Sequence, residues 1–393
     1  MSHARAAVPP RPAGADRPLD VVMTTEQLWQ PTPGGSGTYV RELAAALLRR
    51  DDIALTGLHA RHAGPPDPSW SVPDGMGQIA SRLPRQALYE TWNRWRLPRS
   101  AGAADVVHAT TWAVPPRSAP LVVTVHDLAF LRSPEHFTRR GAAFFTRALD
   151  VVRAQATRVL AVSGTTRDDC VAAGIDPTRI RVVPHGVRVP AVTGPDGLEL
   201  RRRFGLTRPY LLWCGTVEPR KNVPGLLRAY AEAARRMPDL DLVLVGPDGW
   251  SGAPEEVTRA LAALPADRVH RLGALSWADL HAAYAQARAF CYPSLWEGFG
   301  MPVLEAMSHG VPVVTSTGTS MAEVAGDAAL LAPATDVDAL ADALVQATGD
   351  RHDELAAAAR EHAAGYTWDR CAAATAEVYR EAAAEVDRGP AGR

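Results

Sequence analysis

Residues 289–305 read AFCYPSLWEGFGMPVLE. The apolar run Ala289–Tyr292 has the length and composition of a buried strand. A glycine-bearing loop follows, and Pro302 then suits the first turn of a helix over Pro302–His309, where a missing N–H costs nothing. Glu297 and Glu305 stand eight apart, so the first falls in the loop and the second about one turn into the helix. Both carboxylates can accept hydrogen bonds from hydroxyls. The free N–H groups of Gly298 to Met301 can face an anion or a sugar. The plainer alternative for Glu305 is a charge that only serves the helix start.

The same strand–loop–helix unit recurs on both sides. Upstream, strands are expected at Leu19–Met23, Ile53–Leu58, Asp105–Ala109, Leu121–Val125, Arg158–Val162 and Ile180–Val183. Helices are expected at Gly37–Arg50, Gly141–Ala156 and Thr165–Ala173. The pattern breaks between Gly186 and Leu198, a stretch with two prolines and two glycines inside Val187–Gly197, and this reads as a linker. Alternation then resumes. Strands are expected at Tyr210–Cys214, Leu240–Val245, Val269–Leu272 and Val311–Thr315, and helices at Val223–Arg236, Glu255–Leu264, Ala278–Gln286 and Trp368–Glu385. This is the signature of two doubly wound, mostly parallel α/β domains in tandem. Ligands of such sheets bind at the carboxyl ends of the strands, and two of them are expected to face each other across a cleft.

Composition narrows the class. The chain has 393 residues, 47% apolar and 22% charged, with a net charge of −1. That balance argues against a protein that binds nucleic acid through a large basic field. Cys170, Cys214, Cys291 and Cys371 are far apart with no CxxC pair, which speaks against a disulfide scaffold or a thiolate metal site and for reduced cytosolic thiols. No run is apolar and long enough to span a bilayer. The first 17 residues lack an apolar core and read as a loose tail. Of 42 basic residues only Lys221 is a lysine; it marks a place where a compact ammonium serves and a planar guanidinium does not.

Three further motifs follow strands. Pro33-Gly34-Gly35-Ser36-Gly37 precedes a helix and is either a cradle for an anion or a tight turn; it has neither the GxGxxG spacing nor the GK[ST] ending of common phosphate loops. His126-Asp127 follows Leu121–Val125, placed either for a ligand or as a satisfied loop histidine. Cys214-Gly215-Thr216-Val217-Glu218-Pro219-Arg220-Lys221-Asn222 brings two adjacent cations to a helix start, which the macrodipole disfavours; a compensating anion such as a diphosphate is expected. Arg82–Arg99 carries five arginines with Trp92 and Trp95. It is an acceptor wall, an interfacial membrane element or a helix with a solvated basic face.

With these motifs in order, the chain resembles the retaining GT-B-fold glycosyltransferases of glycosyltransferase family 4 over residues 18–385. The glutamate pair, the EPRKN run, the glycine-rich N-terminal loop, Val162–Thr166 and Val183–Val187 carry the likeness. His185 departs from it, standing where most relatives have asparagine, and so does Thr216, where some have arginine. The resemblance implies roles. Glu297 would hold donor-sugar hydroxyls with the backbone of Phe299, Gly300 and Met301. Glu305 would bind the ribose, Lys221 with Arg220 the diphosphate beside Gly215, and Gly35 the diphosphate or sugar. His126 would sit beside the reacting face of the sugar. It also implies a tail at 1–17, an acceptor-binding domain at 18–188, a nucleotide-sugar domain at 189–366, and a helix at 367–393 that crosses back and ends in a loose tail. No cofactor and no essential metal are expected, because fixed cations oppose the leaving diphosphate.

The segments HDL (126–128), EPRKN and WEG (296–298) are similar to mannosyltransferase-like members, which ranks GDP-mannose first as donor, ahead of UDP-glucose and other nucleotide sugars. Acceptors would be glycans, lipid-linked or small molecules, with no nucleic acid. The location would be cytoplasmic or peripheral at the inner face of the membrane. A phosphorylase of the glycogen type would need a lysine for pyridoxal phosphate, and the single lysine lies in the diphosphate motif. A non-catalytic nucleotide-sugar-binding protein is the alternative from another class.

Overall fold

The computed structural model describes residues 17–99, 102–249 and 255–387. Most of the expected N-terminal tail, residues 1–16, and the last six residues lie outside these. Arg17 is described and bonds Asp105 at 2.7 Å. The chain divides into two compact units. One runs up to Gly186 and resumes at Trp368; the other is Val187–Thr367.

In the first unit, seven strands among the described residues form one parallel sheet. They are β1 (Leu19–Thr24), β2 (Ile53–His59), β3 (Gly77–Ala80), β4 (Val106–Ala109), β5 (Leu121–Val125), β6 (Arg158–Ala161) and β7 (Ile180–Val182), in the order β3-β2-β1-β4-β5-β6-β7. Every residue of β4 and β5 is buried, which is why these strands read as unbroken apolar runs. The helix Gly34–Leu47 starts three residues before its expected position, because its first turn is the glycine motif itself.

The helix Trp368–Asp387 belongs to this unit and packs on Gly34–Leu47. It is tied in by a buried polar chain. The Tyr379 hydroxyl lies 2.7 Å from His108 Nδ1, His108 Nε2 lies 2.7 Å from Thr124 Oγ1, and Thr124 Oγ1 lies 2.7 Å from the Tyr39 hydroxyl.

The second unit holds six strands among the described residues: β8 (Tyr210–Cys214), β9 (Asp241–Val245), β10 (Val269–Gly273), β11 (Ala289–Tyr292), β12 (Val313–Ser316) and β13 (Leu330–Ala332). All pairings are parallel, in the order β10-β9-β8-β11-β12-β13. The winding therefore reverses between β8 and β11, and such a switch point opens a crevice at the strands' carboxyl ends. The stretch read as a linker is shorter than expected. A helix, Gly194–Phe204, begins inside it, capped by a reciprocal Thr193–Asp196 box.

His108 is fully buried, and burial, reinforced by neighbouring His126, pushes its pKa down to about 3. The native state keeps it neutral, while the unfolded chain takes up a proton below the ordinary value near 6.5. The unfolded state thus binds more protons between those values, and stability falls as pH drops through that window. At pH 5 the loss from His108 is about 2 kcal/mol. Thermal unfolding followed by circular dichroism should show a lower midpoint at pH 5 than at pH 7, and His108→Gln should make that drop shallower.

Candidate functional site

The exit loops of β8 and β11 carry the two strongest motifs to the switch point of the second unit. After β8 the chain makes a 3-10 turn, Pro219–Lys221, and Asn222 takes a left-handed conformation (φ 52°) before the helix Val223–Arg236. The Asn222 side chain donates to the carbonyls of Pro293 (3.1 Å) and Ala334 (2.6 Å). The Leu295 N–H donates to the Arg220 carbonyl at 2.8 Å. Hydroxyls of β12 hold the other side: Thr315 donates to the Tyr292 carbonyl and Ser316 to that of Ser294. The two loops are thereby fixed against each other.

Between them sits a charged cluster. Lys221 and Glu297 are each only 8% exposed. Lys221 Nζ bonds Glu297 Oε1 and the Tyr292 hydroxyl. The Tyr292 hydroxyl donates to Glu297 Oε1 at 3.2 Å, and Arg220 donates to Glu297 Oε2 at 2.5 Å and to Glu218 at 3.1 Å. Burial alone would raise the pKa of Glu297, but Lys221 and then Arg220 outweigh it and hold the carboxyl at about 2. Burial lowers that of Lys221, with Glu297 opposing. The adjacent cations are therefore compensated within the chain, by Glu297 and Glu218. The expected compensating anion is thus met first by carboxylates of the chain itself.

Gly300 (φ 97°) caps the helix Met301–Ser308, and a Cβ there would stand 2.7 Å from Met321 Cγ. Phe299 is buried, and Met301 is the first helical residue. Glu305 is the fifth residue of that helix, half-buried, and accepts from the Tyr284 hydroxyl at 3.0 Å. Cys214 Sγ lies 2.8 Å from the same hydroxyl; since Tyr284 spends its proton on Glu305, the thiol donates. Burial raises the Glu305 pKa, and the Tyr284 bond opposes this. Gly215 (φ 150°) and Gly246 (φ 130°) let the ends of β8 and β9 touch. A Cβ on Gly246 would lie 2.0 Å from the Gly215 carbonyl oxygen.

In the first unit, Gly35 is exposed in the opening turn of Gly34–Leu47, where N–H groups lack helical partners. His126 Nε2 donates to the Thr110 carbonyl at 3.0 Å, and burial brings its pKa to about 4. It is a neutral imidazole with Nδ1 as acceptor. Tyr39 packs edge-on to it at 4.9 Å, and His185 lies 5.4 Å away. His185 is buried and stacks on Trp368. Asp127 caps the following turn through the Ala129 N–H.

In the arginine-rich segment, Trp92 is buried and Trp95 is 66% exposed. Arg85 bonds Gln30. Arg96 turns inward onto the carbonyls of Trp92, Val114 and Pro115, and burial lowers its pKa to about 10. A basic face built from all five arginines is thus not what forms; Arg82, Arg94 and Arg99 remain exposed.

Sequence reasoning misses Tyr292, Tyr284 and the bridging role of Asn222. In sequence the first two pass as apolar strand and helix residues. A tyrosine at the carboxyl end of a strand beside a switch point is the available signal. All four cysteines are free and buried. Among the described residues there is no group of metal-ligating side chains, and no helix long and apolar enough to cross a membrane.

Two parallel sheets of this topology, with cations and paired glutamates at one switch point, define the GT-B class of two Rossmann-like domains. The family described as Glycosyltransferase Family 4 matches residues 33–189, and Glycosyl transferases group 1 matches residues 199–365. The chain is 31% identical over 390 residues to the O-antigen chain mannosyltransferase B of Escherichia coli, covering 92% of this chain and all of that one. Similar solved structures include the sucrose-phosphate synthase of Thermosynechococcus elongatus (TM-score 0.72, 20% identity, covering 93% of this chain and 100% of that one). Another is Anabaena HepE in complex with UDP and glucose (TM-score 0.72, 19% identity, 92% and 100%). The chain belongs to the family 4 glycosyltransferases, enzymes that use a nucleotide sugar.

The Gly215–Gly246 contact supports the loop that carries Arg220 and Lys221. Gly246→Ala adds a methyl where backbone already stands, in a conformation that side chains disfavour. Urea unfolding should show a loss of at least about 2 kcal/mol.

Proposed function

We propose that this chain is a retaining hexosyltransferase that moves a sugar from a nucleoside diphosphate sugar, GDP-mannose first, to an acceptor hydroxyl without a divalent metal. The observation that carries the reading is the cluster of Lys221, Arg220 and Glu297 at the β8–β11 switch point, with Glu305 one turn into the next helix. Cleavage of the anomeric C–O bond places negative charge on the diphosphate and positive charge on the sugar ring. Lys221 and Arg220 stabilise the first from fixed positions, and preorganised charge of this kind supplies most of the rate enhancement in many enzymes. Glu297 takes sugar hydroxyls, assisted by the backbone of Phe299 to Met301, and Glu305 takes the ribose. Gly35 offers helix-start N–H groups to an anion. His126, neutral at pH 7, offers Nδ1 as an acceptor and contributes to the transfer step. The likeness to a mannosyltransferase supports mannose as the donor sugar. Retention rests on the family resemblance. The exposed Trp95 and Leu97 beside Arg94 and Arg99 support a peripheral contact with an anionic membrane surface, where a lipid-linked acceptor would be found.

Calorimetry should show that Lys221→Ala weakens donor binding by about 1.5–3 kcal/mol, the range of a charge-assisted contact. Glu297→Gln should abolish transfer without weakening nucleoside diphosphate binding, whereas Glu305→Gln should weaken both. If Glu297→Gln lost diphosphate binding as severely as transfer, these assignments would be wrong.

A donor panel headed by GDP-mannose and UDP-glucose, run in excess EDTA with the product anomer read by NMR, tests the reaction itself. The expected result is full activity and an α-product from an α-linked donor. A β-product, or activity restored only by added metal, would overturn the corresponding part of the reading.

A further inference from the structure

The two cations assigned to the donor are already held by an anion of the chain. Glu297 spends one oxygen on Lys221 and Tyr292 and the other on Arg220. A carboxylate has about four acceptor positions, so three of those on Glu297 are occupied before any sugar hydroxyl arrives. The Lys221 ammonium has three donors, and two are engaged, by Tyr292 and Glu297. The groups needed for the diphosphate and for the sugar are thus bound to each other. The cluster lies in a buried setting, where an unpaired charge is costly.

We propose that Glu297 is a built-in stand-in for the diphosphate and exchanges partners when donor binds. Arg220 and Lys221 pass from the carboxylate to diphosphate oxygens, and the released carboxylate takes the sugar hydroxyls. Tyr292 is the positioning residue of the exchange. Its hydroxyl lies on a strand buried along its whole length and touches both Lys221 and Glu297. Neither half of the exchange is favourable alone. A bare diphosphate takes the cations but leaves Glu297 without them and without hydroxyls. A bare sugar finds the carboxylate occupied. Only the intact nucleotide sugar satisfies every charge, so the cluster selects for the covalently joined donor over its own product. This rests on the proposal that the second unit holds the donor diphosphate at Lys221.

The probe is inorganic pyrophosphate, titrated by calorimetry into the full chain. Removing the competing anion with Glu297→Gln should tighten pyrophosphate binding at least tenfold, with transfer lost. In a background carrying both Lys221→Gln and Arg220→Gln the same substitution should give no such gain, which separates the exchange from a general change in charge. Tyr292→Phe should raise KM for donor more than it lowers kcat, since it misplaces the cluster without removing a charge. A folded Glu297→Gln chain whose pyrophosphate affinity is unchanged or weaker overturns the proposal. Should that variant fail to fold, Glu297→Asp takes its place, because its shortened carboxylate withdraws from Lys221 and must shift affinity in the same direction. The outcomes separate the two readings. Tightening for pyrophosphate in the variant, when the unsubstituted chain transfers no sugar from any donor, leaves the exchange standing and removes the transferase reading. Transfer without tightening does the reverse.

Discussion

A buried lysine and a buried glutamate hold each other where the second sheet reverses its winding, and much of that unit is arranged around the pair. Two charges taken out of water are costly unless every remaining donor and acceptor is met. Tyr292 supplies one hydroxyl to both charges, Arg220 supplies the second cation, and Glu218 offsets the excess positive charge. The backbone is bent to suit. Asn222 enters a left-handed conformation, and its amide reaches two carbonyls of neighbouring exit loops. The Leu295 N–H fastens the β11 loop to Arg220. Loosening any of these lets one charge lose its partner while still buried. A site of this kind is pre-organised because relaxation is more costly than order.

The first unit follows a different electrostatic rule. Its switch point lies between β1 and β4, and buried imidazole and aromatic groups gather there, among them Tyr39, His108 and His126. Burial holds His108, His126 and His185 well below their ordinary pKa values. Each is therefore a neutral ring, not a proton carrier, near neutral pH, and the Thr110 carbonyl fixes the tautomer of His126. His108 is saturated on both nitrogens and serves packing, joining the C-terminal helix to the sheet. His126 spends one nitrogen on a carbonyl and keeps an acceptor. The cations of the proposed reaction, Arg220 and Lys221, both belong to the second unit.

Much of the fold is legible in the sequence because buried parallel strands are short apolar runs with polar loops between. Leu121–Val125, Tyr210–Cys214, Ala289–Tyr292 and the helix Val223–Arg236 form at the expected residues. The elements that sequence pattern misses have the opposite character. The edge strand β3 is GQIA, largely exposed, with no apolar run to betray it. The helix Gly194–Phe204 contains a proline and two glycines and buries little apolar surface, and its Leu198 is 66% exposed. Only its capping box, Thr193 with Asp196, is there to be read. The glutamate pair and the lysine are visible from spacing and rarity. Their contact is not, because residues 221 and 297 are joined through a sheet crossover that local pattern does not encode. Nor does helix-start reasoning apply to Arg220 and Lys221 as expected, since they occupy a 3-10 turn ahead of the helix.

The solitary lysine among 41 arginines can now be understood from its surroundings. An arginine at position 221 would bring a planar fork of five donors into a space where two acceptors, the Tyr292 hydroxyl and one Glu297 oxygen, sit close around a single point. Its geometry favours two parallel bonds to one carboxylate, which would draw both Glu297 oxygens to one partner and displace Arg220. An ammonium is compact and donates in three directions, so it can serve a hydroxyl and one carboxylate oxygen and keep a donor in reserve. Arg220, half-exposed at the rim, has room for the fork and uses it to reach Glu218 and Glu297 together. The order of the two cations is therefore set by burial: the point charge inside and the fork outside.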